Sequence, residues 1–384
     1  MKKIKSESSE LNERRAMENG RRFSHGGDIY AFARIKGVEV EDVLDFSASI
    51  NPLGMPPAAR CAFRRALRQV NSYPEPYAES LTQTLAEYHG LAASQVLAGN
   101  GSTHLIYLLA RALHVQRVVL IAPLFSEHAS AFRANGAHVR YVTLRPPSFV
   151  LDLAEVEKTM RREQPDTLVL TNPNSPTGAL TPREQVRALV QLCRGTQTRL
   201  LVDEAFIDWT EEGSVKQIAA QDDGVIVLRS LTKFFALPGL RVGYVLASPK
   251  VIRKLQAQIE PWAVNVVAQA VGIACVQDQH FIKHSRSFMH KERAWLSTQL
   301  SQTPGLRVFP ASANFLLLQT KGKGFSASSL AEHLAQEKIL IRVCDNFVGL
   351  GKRFFRVAVR TRVDNRCLLR GIQMFVVQHR ALLI

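Results

Sequence analysis

Val225-Ile226-Val227-Leu228-Arg229-Ser230-Leu231-Thr232-Lys233-Phe234 joins a β-branched apolar run to a Ser-Leu-Thr-Lys turn. The run has the composition of a buried strand. Pro238-Gly239-Leu240-Arg241-Val242-Gly243-Tyr244 follows and puts Arg241 eight residues past Lys233. A lysine at the polar end of a buried strand suits condensation of its amine with an aldehyde cofactor. The hydroxyls of Ser230 and Thr232, together with Arg241, suit that cofactor's phosphate. The same lysine also reads as a surface residue after a strand, so the rest of the chain decides.

Outward from this stretch, apolar runs recur at Arg117–Ala122, His138–Leu144, Thr167–Thr171, Arg199–Asp203 and Arg241–Ala247. Helical patterns such as Ser126–Ala134 and Pro182–Cys193 lie between several of them. Apolar strands alternating with helices predict an α/β fold, a mainly parallel sheet covered on both faces. Such sheets bind ligands at the carboxyl ends of their strands. Asn172, Asn174, Asp203, Ser230 and Lys233 all fall at those ends. Beyond about residue 255 the pattern changes. A long helical stretch, Ala268–Gln302, precedes short strands at Leu306–Phe309, Asn314–Gln319, Ile339–Val343 and Phe354–Val359, with a helix near Ser326–Glu337. The expected division is a basic disordered tail at 1–24, an N-terminal segment beside the active site at 25–60, a large domain at 61–255 and a smaller α+β domain at 256–384.

The chain of 384 residues carries a formal charge of +16. A basic balance points to anionic partners. The sequence has neither a zinc-finger spacing nor a basic helix with heptads, so a phosphorylated small molecule is a better expectation than nucleic acid. No apolar run is long enough to span a bilayer, and the first 24 residues lack the apolar block of a secretory signal, so no membrane insertion is expected. Cys61, Cys193, Cys275, Cys344 and Cys367 are scattered, without metal-ligand spacing. Their odd number and the missing signal predict reduced thiols in a cytoplasmic protein.

Other residues sharpen the chemistry. Asp203 ends Leu200-Leu201-Val202-Asp203, where a buried carboxylate needs a partner. A pyridinium N–H supplies one and leaves the ring able to accept electrons; a cap on the following turn is the plainer reading. Gly99-Asn100-Gly101-Ser102-Thr103 precedes a helical pattern at His104–Leu113, which makes a phosphate cradle from backbone N–H groups and a helix dipole. Thr171-Asn172-Pro173-Asn174-Ser175-Pro176-Thr177-Gly178 is a turn that can present a side-chain amide to a ring oxygen. Phe125 can stack on a ring, or simply belong to the core.

Together these residues resemble the fold-type I, aspartate-aminotransferase-like superfamily of pyridoxal-phosphate enzymes. The resemblance implies a seven-stranded sheet sandwiched by helices and runs from His25 to the C-terminus. It implies that Lys233 binds pyridoxal 5'-phosphate covalently, that Asp203 pairs with the ring nitrogen and that Phe125 stacks on the ring. It places Gly101, Ser102, Ser230, Thr232 and Arg241 around the phosphate. It also implies a homodimer with shared active sites, in which Tyr73 of Tyr73-Pro74-Glu75-Pro76 reaches the neighbouring subunit's cofactor, and it gives Arg356 the substrate carboxylate.

Two branches of the superfamily compete, the L-threonine-O-3-phosphate decarboxylases of cobalamin synthesis and the histidinol-phosphate aminotransferases. Three segments resemble the decarboxylases: His25-Gly26-Gly27-Asp28-Ile29-Tyr30; Asp45-Phe46-Ser47-Ala48-Ser49-Ile50-Asn51-Pro52-Leu53-Gly54; and Ile341 to Leu350 followed by Phe354-Phe355-Arg356. In that branch His25, Gly26, Arg342 and Arg356 gather the substrate's phosphate and carboxylate. Two positions depart from the pattern. Ser49 replaces an asparagine expected at the substrate, which opens serine phosphate as an alternative to threonine phosphate. Asn174-Ser175-Pro176 replaces Asn-Asn-Pro, so either Asn174 or Ser175 meets the cofactor oxygen. Decarboxylation requires the protein to expose the Cα–carboxylate bond where a transaminase exposes Cα–H. The alternative of another class is a non-catalytic regulator built on this fold, for which the 24-residue tail is too short to hold a winged-helix domain.

Overall fold

The computed structural model describes residues 26–322 and 325–379. Seven strands form the principal sheet: β1 (Val96–Gly99), β2 (Arg117–Ala122), β3 (His138–Thr143), β4 (Thr167–Thr171), β5 (Arg199–Asp203), β6 (Val225–Ser230) and β7 (Gly243–Leu246). Their order across the sheet is β1-β7-β6-β5-β4-β2-β3. Only β7 is antiparallel to its neighbours, pairing Val245 with Leu97 and with Leu228.

Period-two alternation explains the layering. Val119, Ile121, Leu168, Leu170, Leu200, Val202, Val225 and Val227 enter one apolar core, while Val118, Leu120, Val169, Leu201, Ile226 and Leu228 enter another. Every strand residue in these runs is therefore buried, and helices must cover both faces. The helix Gly101–Ala112 contributes Leu105, Leu108 and Leu109 to the second core. The helices Pro57–Ala66 and Glu79–His89 pack against Val266–Gln277.

A second sheet of four antiparallel strands uses β8 (Leu306–Val308), β9 (Phe315–Thr320), β10 (Arg342–Val343) and β11 (Phe354–Ala358) in the order β10-β11-β9-β8. Helices Gln279–Ser301, Ala327–Gln336 and Arg362–Gln378 accompany it. The cross-strand partner of Arg342 is Arg356, which sets two arginines side by side. Leu44–Asp45 pairs in parallel with Ile339–Leu340, tying the N-terminal segment to this part of the chain.

The sequence reading needs four corrections. The expected helix Ala268–Gln302 is two, Val266–Gln277 and Gln279–Ser301, because Asp278 leaves helical geometry and caps the second through the Phe281 N–H. Ile339–Val343 is divided between two sheets. The strand expected from Arg241 begins at Gly243, since Arg241 sits in the left-handed region at φ 55°. Strand β1 and helix Arg362–Gln378 were not anticipated; β1 is four residues long and ends in glycine, too short to show a period. Among the described residues no helix is long and apolar enough to cross a membrane.

Candidate active site

The carboxyl ends of β2, β4, β5 and β6 open on a cavity of about 340 Å³, within the size range of small-ligand sites. Lys233 lies on its floor, in the one-turn helix Leu231–Phe234 whose start is capped by Ser230 Oγ on the Thr232 N–H. The amine has no hydrogen-bond partner among the described residues. Burial, then the nearby Arg356 and Arg241 charges, lowers its pKa to about 8. A desolvated amine near neutrality is a competent nucleophile.

One end of the cavity is built for a phosphate. The helix Gly101–Ala112 presents Ser102 and Thr103, while Thr232 and Arg241 come from the turn after β6. Ser230 stands behind the lining and hydrogen-bonds Thr232 Oγ1 at 2.7 Å. Gly101 has φ +80°, and a Cβ there would lie 2.7 Å from Arg241 Nη2. A Cβ on Gly243 would lie 2.7 Å from the Ser102 nitrogen. The two glycines let the guanidinium and the N–H groups converge on one spot.

Asp203 also lines the cavity and is buried. Its Oδ1 accepts from the Ala205 N–H at 3.0 Å, and its Oδ2 meets His128 Nε2 at 2.9 Å. His128 is fully buried and was not found from the sequence; a lone histidine inside a helical pattern leaves no signature. Glu127, also in the lining, escaped notice for the same reason. Phe125 lines the cavity at the start of the helix Ser126–Ala134.

Of Asn174 and Ser175, only Ser175 lines the cavity. Asn174 is excluded from the lining, because its amide nitrogen donates to the Pro123 carbonyl and Thr171 Oγ1, both at 2.8 Å, while its oxygen takes Thr177. Ser175 faces the cavity and accepts from Arg356 Nη1 at 3.0 Å.

The remaining wall is cationic. Arg356 is buried, donates from Nη2 to the Ser47 carbonyl at 2.9 Å and lies over the Phe315 ring. Its Nε has no partner, and no described carboxylate is within ion-pair distance. Burial lowers its pKa to about 10. Arg342 donates to Asn346 Oδ1 at 2.7 Å and lies over Phe347. Gly26 passes so close to the Ser47 carbonyl that no side chain fits there. Ser49 lines the same space, and its buried hydroxyl lacks a partner among the described residues. His25 lies outside the described residues. Tyr73 is 82% exposed, is absent from this lining and packs at a tilt against Trp262 with ring centroids 4.9 Å apart.

These residues fit pyridoxal phosphate: a phosphate cradle that a Cβ would fill, a lone amine, and a buried carboxylate in the same cavity. Orphaned Arg356 Nε and Ser49 Oγ fit a polar substrate beside it.

The family model for aminotransferases of class I and II matches residues 41–372. The threonine-phosphate decarboxylase of Salmonella typhimurium is 36% identical over 91% of this chain and 96% of its own length. A histidinol-phosphate aminotransferase from Methanothermobacter thermautotrophicus is 29% identical over 90% of this chain and 92% of its own. Among solved structures, the histidinol-phosphate aminotransferase of Clostridium acetobutylicum superposes with a TM-score of 0.81 at 27% identity, covering 87% of this chain and 99% of that one.

Proposed function

For a chain that belongs to the class I and II aminotransferase family, we propose a pyridoxal-phosphate-dependent decarboxylase that converts L-threonine O-3-phosphate to (R)-1-amino-2-propanol O-2-phosphate and CO2. In cobalamin synthesis this product is the linker of the nucleotide loop. The reading is carried by one observation: Arg342 and Arg356 are cross-strand partners and line the same cavity as Lys233. Two fixed cations suit a substrate with both a carboxylate and a phosphate. The full-length similarity to the Salmonella decarboxylase supports it.

When bound, pyridoxal phosphate supplies an electron sink for negative charge developing at the substrate's α carbon. Everything else belongs to the chain. Ser102, Thr103, Thr232 and Arg241 would hold the phosphate, and Asp203, oriented by His128, would hold a protonated ring nitrogen. Arg356 and Arg342 hold the substrate's anions and thereby select which α-carbon bond is exposed to cleavage. The Cα–carboxylate bond breaks, CO2 leaves, and a proton takes its place at Cα. Lys233, with a pKa near 8, is placed to carry that proton. The exposure of Tyr73, held against Trp262, supports a homodimer in which Tyr73 serves the partner's site. All five cysteines are free, in keeping with a cytoplasmic enzyme.

Purified enzyme supplied with threonine phosphate is expected to release CO2 without a keto acid. Turnover of histidinol phosphate that depends on 2-oxoglutarate, with no CO2, would replace this reading with the aminotransferase one. Sedimentation of the holoenzyme at twice the chain mass checks the dimer.

A further inference from the structure

We infer that His104 positions the phosphate cradle, by accepting the Asn100 backbone N–H, and links the cradle to the segment 258–265. The inference rests on the pyridoxal-phosphate reading above.

Asn100 stands at the start of the helix Gly101–Ala112, yet its side chain caps nothing. Its backbone N–H instead points to His104 Nδ1 at 3.3 Å. An Nδ1 that accepts carries no proton, so the neutral ring has its proton on Nε2. Nε2 lies 3.1 Å from Glu260 Oε2 and donates there. The other Glu260 oxygen accepts from Arg111 Nη2 at 3.3 Å, and Arg111 also grips the Gln258 carbonyl at 2.6 Å. Both ring nitrogens are therefore used, and the ring's orientation is fixed.

The far end of this relay is a hub. In the segment 258–265, the Trp262 N–H donates to the Pro76 carbonyl at 2.7 Å, and Trp262 also packs at a tilt against Tyr73. Asn265 Nδ2 donates to the carbonyl of Leu240, the residue before Arg241, at 3.2 Å. One segment thus touches the cradle through His104, the Tyr73 loop through Trp262 and the Arg241 turn through Asn265. These three pieces come from distant parts of the sequence; the cradle and the Arg241 turn have to present their donors to one phosphate group, and the Tyr73 loop faces away from it. His104 acts on the first of them.

Three substitutions separate the parts. Asparagine at 104 places an amide oxygen where Nδ1 is and keeps the Asn100 bond. Glutamine places its amide where Nε2 is and keeps only Glu260. Alanine keeps neither. The readout is the dissociation constant of pyridoxal phosphate, measured by equilibrium dialysis, alongside melting temperature and kcat at saturating cofactor. His104→Ala and His104→Gln are expected to weaken cofactor binding about five-fold, the scale of one hydrogen bond, with kcat within two-fold of wild type. His104→Asn is expected to bind as wild type does. Wild-type affinity in His104→Ala, or equal weakening in His104→Asn and His104→Ala, overturns the inference while leaving the cofactor reading intact. Wild-type enzyme that binds no pyridoxal phosphate removes the cofactor reading itself.

Discussion

Arg229 and Arg356 are both buried arginines at sheet positions, and their surroundings are opposite. Arg229 lies among carboxylates: its Nη2 reaches Glu211 at 2.7 and 2.8 Å, with Glu204 at 3.5 Å and Asp208 at 3.7 Å. Burial works against the Arg229 charge, but Glu211 and its neighbours more than compensate and raise its pKa. Glu211 in turn is held down to about 2 by Arg229 and Lys216 despite its burial. Arg356 has a hydroxyl, a carbonyl and an aromatic face, with no carboxylate of the described residues within ion-pair distance, and burial lowers its pKa. A buried cation is costly unless paired. The protein completes one of these charges itself; the other is completed only when an anion enters the cavity. On the proposed function, Arg229 holds the fold and Arg356 takes the substrate.

The severest way to break the comparison is at the cavity floor. Lys233→Ala is expected to abolish CO2 release and to leave no cofactor attached after borohydride reduction, as read by the mass of the intact chain. Unchanged covalent retention would remove the lysine from the chemistry. The arginines come next. Arg356→Gln should lower kcat/KM for threonine phosphate by on the order of 10²–10³, as expected for losing a buried charge partner, while the melting temperature of the unliganded enzyme holds or rises. Arg229→Gln should do the reverse. It strands buried carboxylates and should cost about 3–5 kcal/mol of stability, seen in denaturant melts, with kcat/KM in the surviving folded fraction changed far less. If both variants lose stability equally, the two arginines are not different in kind.

A smaller effect separates them by pH. Only the neutral Lys233 amine attacks an aldehyde, and its pKa is lowered to about 8. The rate of reconstitution of cofactor-free enzyme should therefore rise with pH and level off above about pH 8. Because the Arg356 charge is among the causes of that lowering and Arg229 is not, Arg356→Gln should move the inflection to higher pH. Arg229→Gln should leave it in place. Stopped-flow absorbance across pH 6–10 reads both.

What the sequence disclosed follows the same line. Strands β4, β5 and β6 were legible because each is an apolar run closed by a polar residue, Thr171, Asp203 and Ser230. Lys233, Arg241 and Ser102 were legible because phosphate and amine chemistry puts them at fixed offsets from a strand or a helix start. His128 was hidden, since its meaning comes from a carboxylate 75 residues away. The Asn174 placement also depended on packing: its amide is taken up by Pro123, a partner 51 residues back that no local pattern reveals. The carboxylates around Arg229 carry no local signature, because they meet it only in the folded chain.

The finest test concerns Ser49, which shares the open wall with Arg356. The residue lines the cavity, and its hydroxyl is buried without a partner among the described residues. A buried donor of this kind is completed by a substrate atom or by a water that a substrate displaces. Asparagine, the residue that the resembling decarboxylases carry here, is longer and would occupy that space with an amide. The substrate's methyl is the only difference between threonine phosphate and serine phosphate, and one methyl is worth about 1–3 kcal/mol in a fitted pocket. Ser49→Asn is therefore expected to raise the preference for threonine phosphate over serine phosphate by about three- to ten-fold in kcat/KM. The change should be within about 1 kcal/mol in stability, the scale of a modest overpacking. Competition of the two substrates in one reaction, with products separated by mass, measures the ratio directly. An unchanged ratio would mean that Ser49 completes its hydrogen bond away from the substrate's methyl, and that the open wall discriminates by its arginines alone.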